Sequence, residues 1–164
     1  MKVEIRYSIA EDESYLHSWM QEESIWFPME NAKEIDFGVK NWIGFAKYKC
    51  SLTVMEDKEP CAIGTLFLMP YRKMIHQSMF YMIVDKAHRR KGIGTLLLKN
   101  LEHLAGHYFK IQDLYCEIYE GCRLQPILER AGYELFARQE HYVKLAADQY
   151  LSRILYIRST EAVL

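Results

Sequence analysis

The sequence predicts a single α/β domain, and three observations carry that reading. At 164 residues and 19.5 kDa, with half of its residues hydrophobic, the chain suits one core that buries about two-thirds of the unfolded surface. Strand-like and helix-like patterns alternate along it, as an α/β fold requires. The run at residues 78–84 is apolar without alternation, which suits the centre of a sheet covered on both faces.

The elements follow in order. Val3–Tyr7 reads as a strand, after which Glu11, Asp12 and Glu13 place negative charge in the first turn of a helix whose apolar positions are Tyr15, Leu16, Trp19 and Met20. Residues 25–48 carry Pro28, Gly38 and Gly44, lack a clean period and are expected to hold one or two short helices with loops. Residues 51–55 and 61–69 form a hairpin around a charged, proline-containing turn. A long helix over about 92–106 is expected to bury Ile93, Leu96, Leu97, Leu101 and Leu104. Asp113–Tyr119 is a strand, and 123–131 is a helix with Gly132 as its C-cap. Two short strands at 133–138 and 141–145 close the pattern, and 146–158 is expected to add a terminal helix through Leu151, Ile154 and Leu155.

Composition excludes several functions. With 21 basic and 22 acidic residues the formal charge is −1, so no overall positive field holds nucleic acid or an anionic membrane. The first residues lack the apolar core of a signal peptide, and no stretch approaches the ~18 uninterrupted apolar residues of a membrane span. The chain therefore reads as cytoplasmic. Cys50, Cys61, Cys116 and Cys122 contain no Cys-x-x-Cys pair and are expected to be reduced thiols. His103 and His107 share a helix spacing but have no glutamate between them in zinc-protease fashion, so no metal site is expected.

The most specific chemistry lies between the central strand and the long helix. Gly92 and Gly94 leave backbone amides unshielded where a helix begins, and the dipole and free N–H groups there favour an anion. Lys86, Arg89, Arg90 and Lys91 crowd positive charge at the same turn. No Gly-Lys-Ser/Thr ends it, so it is not a Walker A loop, and Leu97 stands where a dinucleotide fingerprint needs its third glycine.

Arg89-x-x-Gly92-x-Gly94, after a strand ending at Val84 and before Leu96-Leu97, resembles the acyl-CoA signature of the GNAT superfamily of N-acetyltransferases. The resemblance runs from about Val3 to Leu145. It implies a mixed central sheet splayed around the CoA site with helices on both faces, a transferase domain over residues 1–145 and an extension of the same domain over 146–164. It also implies acetyl-CoA as cosubstrate, an amine as acceptor, no metal, and a monomer or homodimer. Carried over, Arg89, Arg90, Lys91, Gly92, Gly94 and Thr95 would face the CoA pyrophosphate, and Met82 and Val84 would offer backbone groups to pantetheine.

The family's usual reaction is direct attack of an amine on the thioester, and here the chain departs from the pattern. The position of the common acid tyrosine falls at Leu128, and that of a frequent asparagine at Gly121. Candidates for the missing roles are Tyr81, His76 and Ser78 on or before the central strand, and Glu117 and Tyr119 on the next. Glu117 is the most informative, because a carboxylate in an apolar strand is costly to bury without a partner or a function. Cys116 and Cys122 have no neighbouring histidine in sequence and read as packing residues. A catalytically silent acyl-CoA sensor is the alternative that Leu128 favours.

Between Glu11 and Asp36 stand eight acidic residues and one cation, Lys33. Helix-dipole and solvated-face roles account for many of them. The family places this segment against the acceptor, however, so Glu30 and Glu34, beside Trp26 and Phe27, are expected to attract a cationic amine.

Overall fold

The computed structural model describes residues 2–160. Seven strands, β1 (Val3–Tyr7), β2 (Ser51–Glu56), β3 (Glu59–Leu68), β4 (Gln77–Val84), β5 (Asp113–Tyr119), β6 (Glu134–Ala146) and β7 (Gln149–Ser159), form one sheet in the order β1-β2-β3-β4-β5-β7-β6. Every pairing is antiparallel except β4 with β5. Helices α1 (Glu13–Glu22) and α2 (Ala32–Ile43) cover one face, where Leu16, Trp19, Val39 and Trp42 meet Ile63 and Ile83. Helices α3 (Ile93–His103) and α4 (Leu124–Arg130) cover the other, where Leu97, Leu101 and Leu128 meet Leu66, Phe80, Cys116 and Ile154. Side chains alternate across each strand, so β4 and β5 contribute to both layers.

Four expectations change. The unpatterned stretch before the hairpin holds a single 12-residue helix, α2, started by Asn31, whose side chain accepts the Glu34 N–H at 2.9 Å. In α3 the buried stripe uses Leu98 (1% exposed) rather than Leu96 (37%), because the helix turns Leu96 towards its solvent edge. The two short strands expected at 133–138 and 141–145 are one long strand, β6, whose register shifts bend it without ending it. The expected terminal helix is strand β7, lying between β5 and β6. Adjacent Ile154 and Leu155 fit either period, and pairing with both neighbours decides for the strand.

A buried hydrogen-bonded chain runs beneath α1 and α2. Arg6 grips Asp12 with two bonds of 2.8 Å, and the Thr53 hydroxyl donates to the same carboxylate at 2.8 Å. Since Thr53's proton is committed, Ser8 must donate to Thr53 (2.8 Å), Ser51 to Ser8 (2.8 Å) and Thr65 to Ser51 (2.6 Å), and the Trp42 indole N–H donates to Thr65 at 2.7 Å. Each hydroxyl gives one bond and takes one, so polar groups in the core are satisfied from Trp42 to Asp12. Thr53→Val would leave the Asp12 carboxylate short of a donor and the Ser8 proton without an acceptor. It is expected to cost about 1–3 kcal/mol, read as a lowered denaturant midpoint.

Burial pushes the Asp12 carboxyl up, but the Arg6 guanidinium, the Ile9 amide and the Thr53 hydroxyl outweigh it and hold it below the usual carboxylate range. A depressed folded-state pKa stabilises the fold above the unfolded value and is lost as pH falls through the folded one. Wild type should therefore lose stability in acid, below about pH 4, more steeply than Asp12→Asn, as denaturant midpoints measured across pH would show.

Candidate functional site

The site begins where two strands stop pairing. β4 and β5 are hydrogen-bonded only over Gln77↔Asp113, Ser78↔Leu114 and Met79↔Tyr115. Beyond Met79, β4 stays paired with β3 up to Val84, and beyond Tyr115, β5 stays paired with β7 up to Tyr119. The facing edges therefore part inside the sheet. The Asp85 N–H donates to the Cys61 carbonyl, so in the alternation of an antiparallel ladder the odd-numbered β4 residues bond β3, and Phe80, Met82 and Val84 turn their N–H and C=O groups to the gap. By the same parity, set by the Glu120 N–H on the Ser152 carbonyl, Glu117 and Tyr119 turn their backbones to it from β5.

The gap opens into a cleft of about 850 Å³ that reaches the start of α3. There Arg90 (φ 63°) and Gly92 (φ 78°) take left-handed conformations on either side of Lys91, and α3 starts at once. The Gly92 carbonyl accepts from Leu96, so the amides of Ile93, Gly94 and Thr95 precede the first intrahelical bond and are free to bind an anion. A side chain at Gly94 would point into the space between Ile127 Cδ1, 3.0 Å from its Cβ, and Val84 Cγ2, at 3.7 Å. Both of those residues line the cleft.

Of the residues expected at this turn, Met82, Val84, Arg89, Arg90, Gly92, Gly94 and Thr95 line the cleft. Lys91 does not line it, because its ammonium bonds the buried Glu56 carboxylate at 3.0 and 3.3 Å and ties the turn to β2. Arg89 pairs through one nitrogen with Glu23 at 2.7 Å, while its buried Nη1 has no hydrogen-bond partner among the described residues. Arg123 and Arg130, which sequence reasoning passed over, add charge from α4 and the turn before it. An orphaned guanidinium nitrogen, a row of unpaired strand groups and three free amides form a donor set that fits a long ligand with a phosphorylated end.

At the other end of the gap, Tyr81, Glu117 and Tyr119 line the cleft together on the α1–α2 side. Glu117 lies 3.4 Å from Arg153 of β7, which donates to Gln139 at 2.8 Å and stacks over Tyr142 at 4.3 Å. Sequence reasoning does not point to Arg153, because its segment is expected to be a helix and forms strand β7 instead. Among the described residues the buried Tyr119 hydroxyl has no hydrogen-bond partner, and burial followed by the Glu117 charge pushes its pKa up, so it stays protonated at neutral pH. Tyr81 is raised for the same two reasons. Leu128 is fully buried in the core and presents nothing to the cleft. Ser78 is buried with its hydroxyl on the Met79 carbonyl, and neither it nor His76 lines the cleft.

The acceptor expectation divides. Trp26 lines the cleft, but Glu30 and Glu34 do not: the Glu34 carboxylate turns back onto the Glu30 N–H at 3.4 Å, in the cap of α2. Phe27, Trp42 and Phe67 take their place. The four cysteines are unpaired, and burial raises the thiols of Cys50 and Cys61 to about 11 and that of Cys116 well above its ordinary value, so none of the three is a ready nucleophile. Among the described residues, no helix is long and apolar enough to cross a membrane.

Comparison with known proteins agrees with this geometry. A model of the acetyltransferase (GNAT) family matches residues 13–133. No curated protein matches the chain. Among solved structures, the Salmonella typhimurium protein yncA with its cofactor acetyl-CoA superposes with a TM-score of 0.82 at 12% identity, over 98% of this chain and 95% of that one. The ribosomal-protein-alanine N-acetyltransferase of Brucella melitensis gives 0.79 at 17% identity, over 95% and 99%. An N-acetyltransferase from Staphylococcus aureus Mu50 gives 0.80 at 15%, over 98% and 99%. At these identities the likeness is one of fold.

Proposed function

Because the chain belongs to the GNAT family of acetyltransferases, we propose that it moves an acetyl group from acetyl-CoA to a primary amine held in the same cleft. The observation that carries this reading is the parted edge of β4 and β5, which leads from the Glu117–Tyr119 end of the gap to the free amides of α3. A thin chain with a pyrophosphate end fits that path: Met82 and Val84 bond its length, and Ile93, Gly94 and Thr95 bond its phosphates. Bound acetyl-CoA supplies the thioester whose carbonyl carbon the amine attacks.

The chain's own residues then move protons. Glu117, directly or through water, takes the proton that makes the amine nucleophilic as the C–N bond forms. As the C–S bond breaks, Tyr119, a cleft-lining residue whose hydroxyl is uncommitted among the described residues, protonates the leaving thiolate, the role Leu128 cannot fill. A hydroxyl without a partner, beside the only carboxylate that β5 contributes to the cleft, argues against a silent acyl-CoA sensor. Four free cysteines suit a reducing, cytoplasmic compartment. The experiment is calorimetric titration of CoA, followed by acetyl-CoA turnover against an amine panel: saturable binding with amine-dependent thiol release is expected, and absence of CoA binding overturns the reading. Tyr119→Phe should slow turnover by about 10–100-fold with CoA affinity intact, and Tyr81→Phe should do less, as initial rates at saturating acetyl-CoA would show.

A further inference from the structure

Building on the acetyl-transfer reading, we infer that the acceptor is a monoamine carried on a flat aromatic or similarly apolar body. Its ammonium end faces Glu117, and its body is held by the rings that line the α1–α2 side of the cleft. Trp42 is the hub of that wall. Its ring lies 6.2 Å from Phe27, 5.8 Å from Phe67 and 6.0 Å from Tyr81, and Phe67 meets Tyr81 edge to face at 5.0 Å. Trp26 and Met29 continue the surface. The rings are tilted or edge-on to one another, so faces remain for a further ring to pack against.

The wall is also held in place. The Trp42 indole N–H is fixed on Thr65 at the end of the buried hydroxyl chain, so the hub cannot rotate without stranding a polar group. A preformed aromatic surface loses little ordering entropy when a rigid body binds.

Charge placement selects for one amine rather than several. Among the described residues, the cleft-lining positions from Trp26 through Tyr81 carry no charged side chain. Glu23, just before them, is taken by Arg89, and the remaining arginines gather at the α3–α4 end. Glu117, whose Oε2 accepts from Arg153 at 3.4 Å, keeps Oε1 for one ammonium. A second or third ammonium of a polyamine would sit among apolar groups with no carboxylate, which is costly. The attraction for a cationic amine expected from Glu30 and Glu34, which lie outside the cleft, passes to Glu117.

The test uses the full chain with acetyl-CoA, 2-phenylethylamine and spermidine. kcat/KM for 2-phenylethylamine should exceed that for spermidine by about 10–100-fold, the discrimination one well-packed apolar group provides. Trp26→Ala and Phe27→Ala, at half-buried positions and with folding checked by circular dichroism, should raise KM for 2-phenylethylamine by about tenfold and leave the calorimetric Kd for CoA unchanged. Without acetyl-CoA, 2-phenylethylamine but not spermidine should quench tryptophan fluorescence saturably. A preference for spermidine, or a KM unmoved in both variants, overturns the inference while CoA binding keeps the acetyl-transfer reading standing. Failure to bind CoA overturns both.

Discussion

Replacing Glu117 with glutamine is expected to lower amine acetylation by about 10²–10⁴-fold while CoA binds as tightly as before. The amide keeps the shape of the side chain and its contact with Arg153, but it no longer accepts a proton at neutral pH. The loss should therefore fall on kcat/KM for the amine, because the free amine must then arise in solution, where it is scarce at neutral pH. Raising the pH should return part of the activity to the variant, as bulk base supplies the free amine, and should do less for wild type. Initial rates at saturating acetyl-CoA over a pH series decide the matter. Turnover equal to wild type at neutral pH removes Glu117 from the reaction.

Gly94→Val should weaken CoA binding by about 100-fold or more, for reasons that differ from those at Gly92. At Gly94 the new side chain enters the passage between Val84 and Ile127 that the ligand must share. At Gly92 a Cβ has open space, but φ of 78° is a conformation a β-branched residue resists, so Gly92→Val should rotate the turn and misdirect the amides of Ile93 to Thr95. Hydrogen bonds to a charged group are worth about 1.5–3 kcal/mol each, and losing two of them accounts for the size of the effect. Arg90→Ala, by contrast, removes an exposed and salt-screened charge and should change Kd by less than about tenfold. Calorimetry on folded variants distinguishes these cases, and a Gly94→Val protein with wild-type affinity would sink the phosphate assignment.

The turn proposed to hold the phosphates was legible as a turn on the cleft because its signals are local. Two glycines, four cations and a helix start lie within ten residues, and each has a backbone reason to be there. The acceptor end depends on distant parts of the chain: Trp42, Phe67 and Arg153 meet the cleft or its edge only after α2, β3 and β7 are placed, and β7 itself was hidden by adjacent apolar residues that suit two periods. Glu30 and Glu34 misled for a physical reason, since a helix cap is a competing use for a carboxylate at that spacing. Leu96 and Leu98 show the same limit on a smaller scale, where a leucine run leaves the solvent edge of a helix undefined until it docks.

The hydroxyl chain under α1 and α2 also constrains how this sequence can drift. Its two ends have fixed characters, a tryptophan that only gives protons and an ionised aspartate that only receives them, so the four hydroxyls between them have one workable orientation. Serine and threonine are interchangeable spellings at positions 8, 51, 53 and 65, whereas alanine or valine at any one of them breaks the sentence for its neighbours on both sides. Variation arising there should come as silent swaps of one hydroxyl for another, or as the joint replacement of the whole row by apolar residues together with Asp12 and Arg6. Intermediate states, with half the row converted, would be less stable than either.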